Sequence, residues 1–395
     1  MNTASCTRTV SKMHIKNRLF LPSFTVIVLT ACVSSAVAPE SNVLSTEVLL
    51  RAEPLTGEAD APDLDDINVL GLDQEMLTFL DTHVDREHHR MLKLHELVQA
   101  IIGEGSFGLE FDETTRTAKE TFHARRGNCL SFTNMFVAMA RNIGIDVRYQ
   151  EVEIPPDWSL EGTTYVLNRH VNVYVDLGPG GTQVVDFNID DFRSSYDRQL
   201  ISDERALAHF YSNIGVEYMQ KRKPIEALRY FRKAVASDQN FTPVWSNLGA
   251  LYSQAGYFEY AEAAYVRALE INPQELIAMS NLGRLYESLG QSERADWYNK
   301  QTNLHRMRNP YYRYQLAHDA FLAREYDSAI GHLKYAVRKK KNEDSFYFLM
   351  GLSYLQKGNE SAARRWLEKA EQVAEDDGLQ RDYHSKLNML LSSQE

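Results

Sequence analysis

The chain has 395 residues, of which 44% are hydrophobic and 25% are charged. This length allows two or three domains, and the content of core-forming residues excludes a chain that is disordered throughout. The formal net charge of −11 argues against nucleic-acid binding, because affinity for phosphate backbones comes mainly from Lys and Arg.

Residues 1–31 have the charge and hydropathy pattern of a signal peptide. Four basic residues precede a mainly apolar run over 19–31 that is too short to span a bilayer: Arg8, Lys12, Lys16 and Arg18. The run ends in Leu-Thr-Ala-Cys at 29–32, which resembles the lipobox of bacterial lipoproteins. The resemblance implies that Cys32 is lipidated and becomes the first residue of the mature chain; an ordinary signal peptide with a nearby cysteine is the alternative. Because Val33 rather than Asp follows Cys32, we expect an outer-membrane anchor and a protein that faces the periplasm.

Residues 32–66 predict a flexible tether, since they are rich in Ser, Ala, Pro and acidic residues and have little periodicity. The chain has three cysteines. Cys6 leaves with the signal peptide and Cys32 would carry lipid, so Cys129 remains as the one free thiol in a compartment that favours disulfides. Cys129 is therefore either buried and inert or retained for its chemistry.

Residues 67–204 predict a domain of helices followed by strands. Helices are expected over 74–84, 89–102 and 114–123, and a fourth begins at Cys129 after the turn residues Gly127 and Asn128. Strands are expected over 146–154, 170–177 and 182–187, and a Gly-Pro-Gly-Gly turn joins the last two as a hairpin. A thiol in the first turn of a helix meets free N–H groups and partial positive charge, both of which favour the thiolate.

Three short motifs of this domain carry a family resemblance. The sequences are RGNCLS at 126–131, RHVNV at 169–173 and VVDFN at 184–188. In this order they resemble the transglutaminase-like superfamily, which has an α+β fold of the papain type. The resemblance implies that Cys129 is the nucleophile, that His170 transfers protons, and that Asp186 orients the imidazole of His170.

This residue set is suited to acyl transfer through a thioester. The Cys129 thiolate would attack an amide or ester carbonyl, and N–H groups at the helix start could stabilise the oxyanion. We expect a lipid-anchored cysteine peptidase or acyl-transferase that acts on amide bonds of envelope proteins. A protein-crosslinking transglutaminase uses the same thioester and remains an alternative. A non-catalytic repeat scaffold of an envelope assembly is the other alternative.

A 34-residue period organises the rest of the chain. Small residues recur at this step in two series: Gly215, Gly249, Gly283, Ala317 and Gly351, and Ala227, Ala261, Ala295, Ala329 and Ala363. The period and the motif WSNLGALY at 245–252 are those of tetratricopeptide (TPR) repeats, in which small residues let paired helices approach closely. The sequence therefore predicts an all-α solenoid of five TPR repeats over 205–377 and a C-terminal capping helix over 378–395.

The concave face of such a solenoid is typically a docking surface for a protein or peptide. Five residues of the fourth and fifth repeats are predicted to line it: Tyr311, Tyr314, His318, Phe321 and Phe348. The alternative is that these side chains pack on neighbouring repeats. The sequence implies no cofactor and no metal, because the histidines at 88, 89, 95 and 123 have no metal-ligand spacing.

Overall fold

A computed structural model describes residues 44–57, 62–103, 107–153, 158–161, 164–167, 170–187 and 196–374, together with residues 380 and 384. The predicted signal peptide, Cys32 and nearly all of the predicted capping helix lie outside these residues. Within the described part, no helix is both long enough and apolar enough to cross a membrane.

Residues 44–57 were predicted as part of a flexible tether, and for this segment the prediction is wrong. The structure has two one-turn helices here, α1 (Thr46–Leu49) and α2 (Glu53–Thr56). The side chains of Leu49 and Ala52 are buried in the main core, and the hydroxyl of Tyr252 donates a 2.6 Å hydrogen bond to the Leu49 carbonyl. Helices this short are not stable alone, so packing against the repeats determines their conformation.

The first part of the α+β domain is helical. Its elements are α3 (Gln74–His83), α4 (Arg90–Ile102), β1 (Glu110–Phe111), α5 (Ala118–Ala124), β2 (Arg126–Gly127) and α6 (Cys129–Asn142). Helix α5 begins four residues later than predicted, because Thr117 and Glu120 form a capping box at its N-terminus. Residues 114–117 are therefore an extended loop, which we call the approach loop.

An antiparallel sheet of four strands packs against α6. The strands after α6 are β3 (Asp146–Glu153), β4 (Trp158–Glu161), β5 (Thr164–Leu167), β6 (His170–Asp176), β7 (Thr182–Val185) and β8 (Asp197–Ile201). The sheet order is β7-β6-β3-β8, and β4 pairs separately with β5. Strand β8 was not predicted. Four of its five residues are exposed, so it has no alternation of buried and exposed positions to reveal it.

Ten helices form five antiparallel pairs within residues 203–373, as the 34-residue period predicts. They are α7 (Asp203–Gln220), α8 (Pro224–Ser237), α9 (Thr242–Gln254), α10 (Phe258–Ile271), α11 (Leu276–Ser288), α12 (Ser292–Arg308), α13 (Pro310–Leu322), α14 (Tyr326–Lys339), α15 (Asp344–Gln356) and α16 (Glu360–Val373). The repeated glycines face bulky residues of the paired helix. A Cβ atom at Gly249 would lie 2.4 Å from the ring of Tyr265, so only glycine permits this approach.

Helix α7 belongs to both parts of the molecule. Arg141 at the end of α6 makes two hydrogen bonds, of 2.6 and 2.8 Å, to the carboxylate of Asp203, the first residue of α7. Further along α7, His209 contacts Glu151 of β3. The domain boundary predicted between residues 204 and 205 therefore falls inside a helix that packs on the sheet as well as on α8.

Candidate active site

Cys129 is the first residue of α6, as the sequence predicts. Asn128 caps the helix, since its side-chain oxygen accepts a 2.9 Å hydrogen bond from the Ser131 N–H. Only glycine fits at position 127, because a Cβ atom there would lie 2.6 Å from the Cβ of Ser131. The thiol is partly exposed, and Cys129 has no disulfide partner.

The approach loop holds the turn before Cys129. The side-chain amide of Asn128 donates a 2.8 Å hydrogen bond to the hydroxyl of Thr115. The Ser131 hydroxyl accepts a 2.8 Å hydrogen bond from the Arg116 N–H and donates to the Asn128 side-chain oxygen at 2.9 Å. These bonds keep the start of α6 in one conformation.

His170, the first residue of β6, and Asp186, the residue that follows β7, form a buried pair. The distances from His170 Nε2 to the two carboxylate oxygens of Asp186 are 2.7 and 2.8 Å, and the two side chains are only 5% and 7% exposed. The β6–β7 register, with Val173 opposite Val185, places Asn172 opposite Asp186. The side-chain amide of Asn172 donates a 2.8 Å hydrogen bond to Asp186 Oδ2.

Asn172 was not predicted as a site residue, although a signal was present. It lies two residues after His170 in the same strand, and residues two apart in a strand share a face. A polar side chain at that position, fully buried in the structure, needs a hydrogen-bond partner. That partner is Asp186, so Asn172 helps to orient the carboxylate.

Two contacts hold the strands of this pair against the cysteine helix. The hydroxyl of Thr133 in α6 donates a 3.0 Å hydrogen bond to the carbonyl of Val171 in β6. The ring of Phe187, next to Asp186, packs 5.6 Å from the ring of Phe132 and 5.9 Å from that of Phe136. The structure thus brings Cys129, His170 and Asp186 together, although 57 residues separate the first from the last in the numbering.

The charge state of His170 is set by burial and by its two partners. Burial by itself lowers the pKa of this imidazole, because it penalises the charged form. Hydrogen bonds with Asp186 and with Cys129, together with their negative charges, outweigh burial and raise the pKa of His170 to about 9. Because Nε2 faces Asp186, Nδ1 is the ring nitrogen that remains for Cys129. The site therefore favours an imidazolium beside the thiol at neutral pH.

The helix start also offers free donors. The N–H of Ser131 is bonded to the Asn128 side chain and that of Phe132 to the Asn128 carbonyl. Within the part of the chain that the structure describes, the N–H groups of Cys129 and Leu130 have no acceptor. Donors in this position can stabilise an oxyanion that forms beside the sulfur atom.

The residues predicted to line the docking surface divide into two groups. Tyr311 and Tyr314 lie 5.4 and 5.3 Å from the buried ring of Phe346, and Phe321 packs on the same cluster. Phe348 contacts a different cluster, which contains Tyr347. His318 has an exposed side chain. Four of the five side chains thus pack at least partly on the repeats, and their role in docking stays a prediction.

Known protein families match both parts of the chain. Residues 80–185 match the transglutaminase-like superfamily. Residues 208–241, 243–275 and 314–378 match models of the tetratricopeptide repeat. The chain therefore carries a transglutaminase-like domain followed by TPR repeats, as predicted. A search of curated proteins found no match.

Solved structures of TPR proteins resemble part of the chain only weakly. One is the TPR protein YrrB, described as having an unusual peptide-binding site, with 20% identity over 45% of this chain and 91% of its own, and a TM-score of 0.24. Another is MamA from Desulfovibrio magneticus, with 18% identity over 44% of this chain and 96% of its own, and a TM-score of 0.25. A third is PilF from Pseudomonas aeruginosa, with 16% identity over 49% of this chain and 93% of its own, and a TM-score of 0.26.

Proposed function

We propose that the protein is a thiol-dependent acyl-transfer enzyme, because its transglutaminase-like domain has Cys129 beside a buried His–Asp pair. It acts as a cysteine peptidase or acyl-transferase on amide bonds of protein substrates. The observation that carries this proposal is the position of His170, which interacts with Asp186 through Nε2 and with Cys129 on its other side. A merely structural histidine does not need a thiol and a carboxylate as its two partners.

The first half-reaction forms a thioester. The Cys129 sulfur, as thiolate, attacks the carbonyl carbon of the amide, and the carbonyl oxygen becomes an oxyanion near the N–H groups of Cys129 and Leu130. The imidazolium of His170 then donates its Nδ1 proton to the leaving nitrogen. The carbon–nitrogen bond breaks, the amine departs, and a carbon–sulfur bond remains.

The second half-reaction releases the acyl group. Water or an amine donates a proton to the neutral His170 imidazole as its oxygen or nitrogen atom attacks the thioester carbonyl. The carbon–sulfur bond breaks, and Cys129 and His170 return to the thiolate–imidazolium pair. Water as acceptor gives hydrolysis, whereas a lysine amine gives a crosslink. The access of these acceptors to the site decides between the two outcomes.

Asp186 and Asn172 support both steps without contacting the substrate. The carboxylate of Asp186 accepts a hydrogen bond from His170 Nε2–H, which fixes the ring orientation and stabilises the imidazolium. The side-chain amide of Asn172 donates a hydrogen bond to Oδ2 of that carboxylate. Asp186 is therefore held in place from two directions.

The proposal also includes a location and a partner. The Leu-Thr-Ala-Cys sequence at 29–32 supports attachment to the outer membrane through lipid on Cys32, with the enzyme facing the periplasm. The TPR repeats would dock the protein substrate or an envelope partner. Radiolabelled palmitate that enters the wild-type chain but not a Cys32→Ser variant would support the anchor, and equal labelling of both would contradict it.

The enzyme proposal is tested by the reactivity of Cys129. In a full chain with Cys6→Ser and Cys32→Ser, Cys129 is the one remaining cysteine. Its rate of alkylation by iodoacetamide is measured from pH 5 to 10, beside the same chain with His170→Ala. We expect fast alkylation well below about pH 8.5, the ordinary pKa of a thiol, and a large loss of rate without His170. Slow alkylation that does not depend on His170 would instead favour a non-catalytic scaffold.

A further inference from the structure

The first helix of the repeats reaches the approach loop of the catalytic domain. Oε1 of Glu217, in the last turn of α7, accepts a 2.7 Å hydrogen bond from the backbone N–H of Thr115. The two residues are 102 positions apart in the chain. Thr115 is buried, and the Glu217 side chain is only 18% exposed, so this charge-assisted bond is shielded from water.

The same loop residue is bonded to the turn that begins the cysteine helix. The Thr115 hydroxyl accepts the 2.8 Å hydrogen bond from the Asn128 side-chain amide, and the Asn128 side-chain oxygen accepts from the Ser131 N–H at 2.9 Å. Cys129 follows Asn128 directly. Three consecutive hydrogen bonds thus connect a carboxylate of the repeats to the cap of the helix that presents the thiol.

Two other polar contacts of α7 lie elsewhere. Asp203 binds Arg141 at the far end of α6, and His209 contacts Glu151 in the sheet. These contacts attach the repeats to the domain but do not touch the turn before Cys129. Without the Glu217 carboxylate, the Thr115 N–H would be a buried donor without a partner, and the loop would have to move to reach water.

We infer that Glu217 of the first repeat is a positioning residue for Cys129, acting through Thr115 and Asn128. It sets the conformation of the helix start, and with it the geometry of the thiol relative to His170. This inference rests on the proposed function, because it concerns the reactivity of the Cys129–His170 pair. It means that the repeats complete the active site in addition to any docking role.

The experiment measures alkylation of Cys129 by iodoacetamide at pH 6.5 in the full chain with Cys6→Ser and Cys32→Ser. Three variants are compared: Glu217→Ala, Glu217→Gln and Glu204→Ala. We expect Glu217→Ala to slow alkylation about tenfold, because the loop that holds the start of α6 loses a buried hydrogen bond to a charged group. Glu217→Gln keeps an oxygen that can accept from Thr115 and should stay within about twofold of the reference. Glu204, an exposed carboxylate in the first turn of the same helix, is the matched control and should have no effect.

A second comparison separates positioning from simple exposure of the thiol. In a His170→Ala background, Glu217→Ala should have no further effect, since the geometry it disturbs is that of Cys129 relative to His170. An equal effect in both backgrounds would overturn the inference, because it would mean that Glu217 only controls access.

Unchanged alkylation in Glu217→Ala, in a chain where His170→Ala is slow, would also overturn the inference while leaving the proposed function intact. If His170→Ala alkylates as fast as the reference, the proposed function fails and the inference fails with it. Thr115→Val covers the case in which Glu217→Ala does not fold. It removes the bond to Asn128 and leaves the contact with Glu217, and it should slow alkylation in the same way; an unchanged rate would again overturn the inference.

Discussion

Nε2 of His209, in the first TPR helix, lies 2.5 Å from Oε1 of Glu151 in the central strand of the sheet. Both side chains are almost fully buried, and Arg205 Nε lies 3.5 Å from the same carboxylate oxygen. Buried charges persist only where they are paired, so this cluster needs residues from both parts of the chain. The transglutaminase-like domain and the first repeat therefore share a buried polar cluster.

The cluster of His209, Glu151 and Arg205 predicts how fragments of the chain unfold. A fragment of residues 62–204 should show no cooperative thermal unfolding, because it lacks the helix that pairs with Glu151 and Thr115. A fragment of residues 62–238 retains α7 and α8 and should unfold cooperatively. Circular dichroism during heating compares the two. Equal midpoints would show that the repeats contribute nothing to the stability of the transglutaminase-like domain.

A second prediction concerns the carboxylate behind His170. Asp186→Asn removes the negative charge that helps to raise the pKa of this histidine, so the pKa should fall toward its ordinary value. Alkylation of Cys129 at pH 6.5 should slow by about tenfold or more. Alkylation rates and the NMR titration of the His170 ring measure the two effects.

The control for that prediction is Asp176→Asn. Asp176 is the last residue of β6, the strand that begins with His170. Asp176 is partly exposed and bonds the N–H of Gly178 in the hairpin turn. This variant should change neither the alkylation rate nor the titration of His170. If both variants behave alike, the effect comes from the general charge of the strand and not from the His170–Asp186 pair.

The raised pKa of His170 also predicts how stability depends on pH. A group whose pKa is higher in the folded state binds its proton more tightly there, so its contribution is fully present below the unfolded pKa of about 6.5. That contribution is lost as the pH rises through about 9. A shift of this size corresponds to roughly 3 kcal/mol at most, because each pKa unit is worth about 1.4 kcal/mol.

Urea unfolding at pH 6, 8 and 10 tests this dependence, with His170→Gln as the comparison. The difference in free energy of unfolding between the wild type and the variant should shrink steadily from pH 6 to pH 10. A difference that stays constant, or grows with pH, would contradict the proposed charge state of the site.

A fourth prediction concerns the glycines of the repeats. Gly249→Ala places a methyl group 2.4 Å from the ring of Tyr265, which is buried and cannot move away easily. We expect the free energy of unfolding to fall by about 1–3 kcal/mol. Gly331→Ala, in α14, meets no atom within 4 Å and should raise stability by up to about 1 kcal/mol. Chemical unfolding of both variants measures the change in the free energy of unfolding, which should be negative for Gly249→Ala and positive for Gly331→Ala. Equal losses of stability would mean that helix packing does not explain the repeated glycine.

Several elements could be predicted because their signals are local. Asn128 and Gly127 mark the start of α6 by capping and by the need for a small residue, and the predicted helix begins at Cys129 as expected. Strand β6 has a valine at every second position, β7 ends in two valines, and a glycine-rich turn lies between the two strands. By contrast, residues 114–117 were predicted as helix, although Thr117 and Glu120 have the Thr-x-x-Glu spacing of a capping box, which marks the helix start at the next residue.

The order of motifs and the 34-residue period were sufficient to determine from sequence that a transglutaminase-like domain precedes a TPR solenoid. They also identified Cys129, His170 and Asp186 as candidates, since each is marked by its immediate neighbours. Only the tertiary structure decided that Asn172 supports Asp186, that residues 44–57 pack on the repeats, and that Glu217 reaches the approach loop. Those relationships join residues far apart in the chain, and their hydrogen bonds and burial depend on how whole elements pack, which no local pattern of residues encodes.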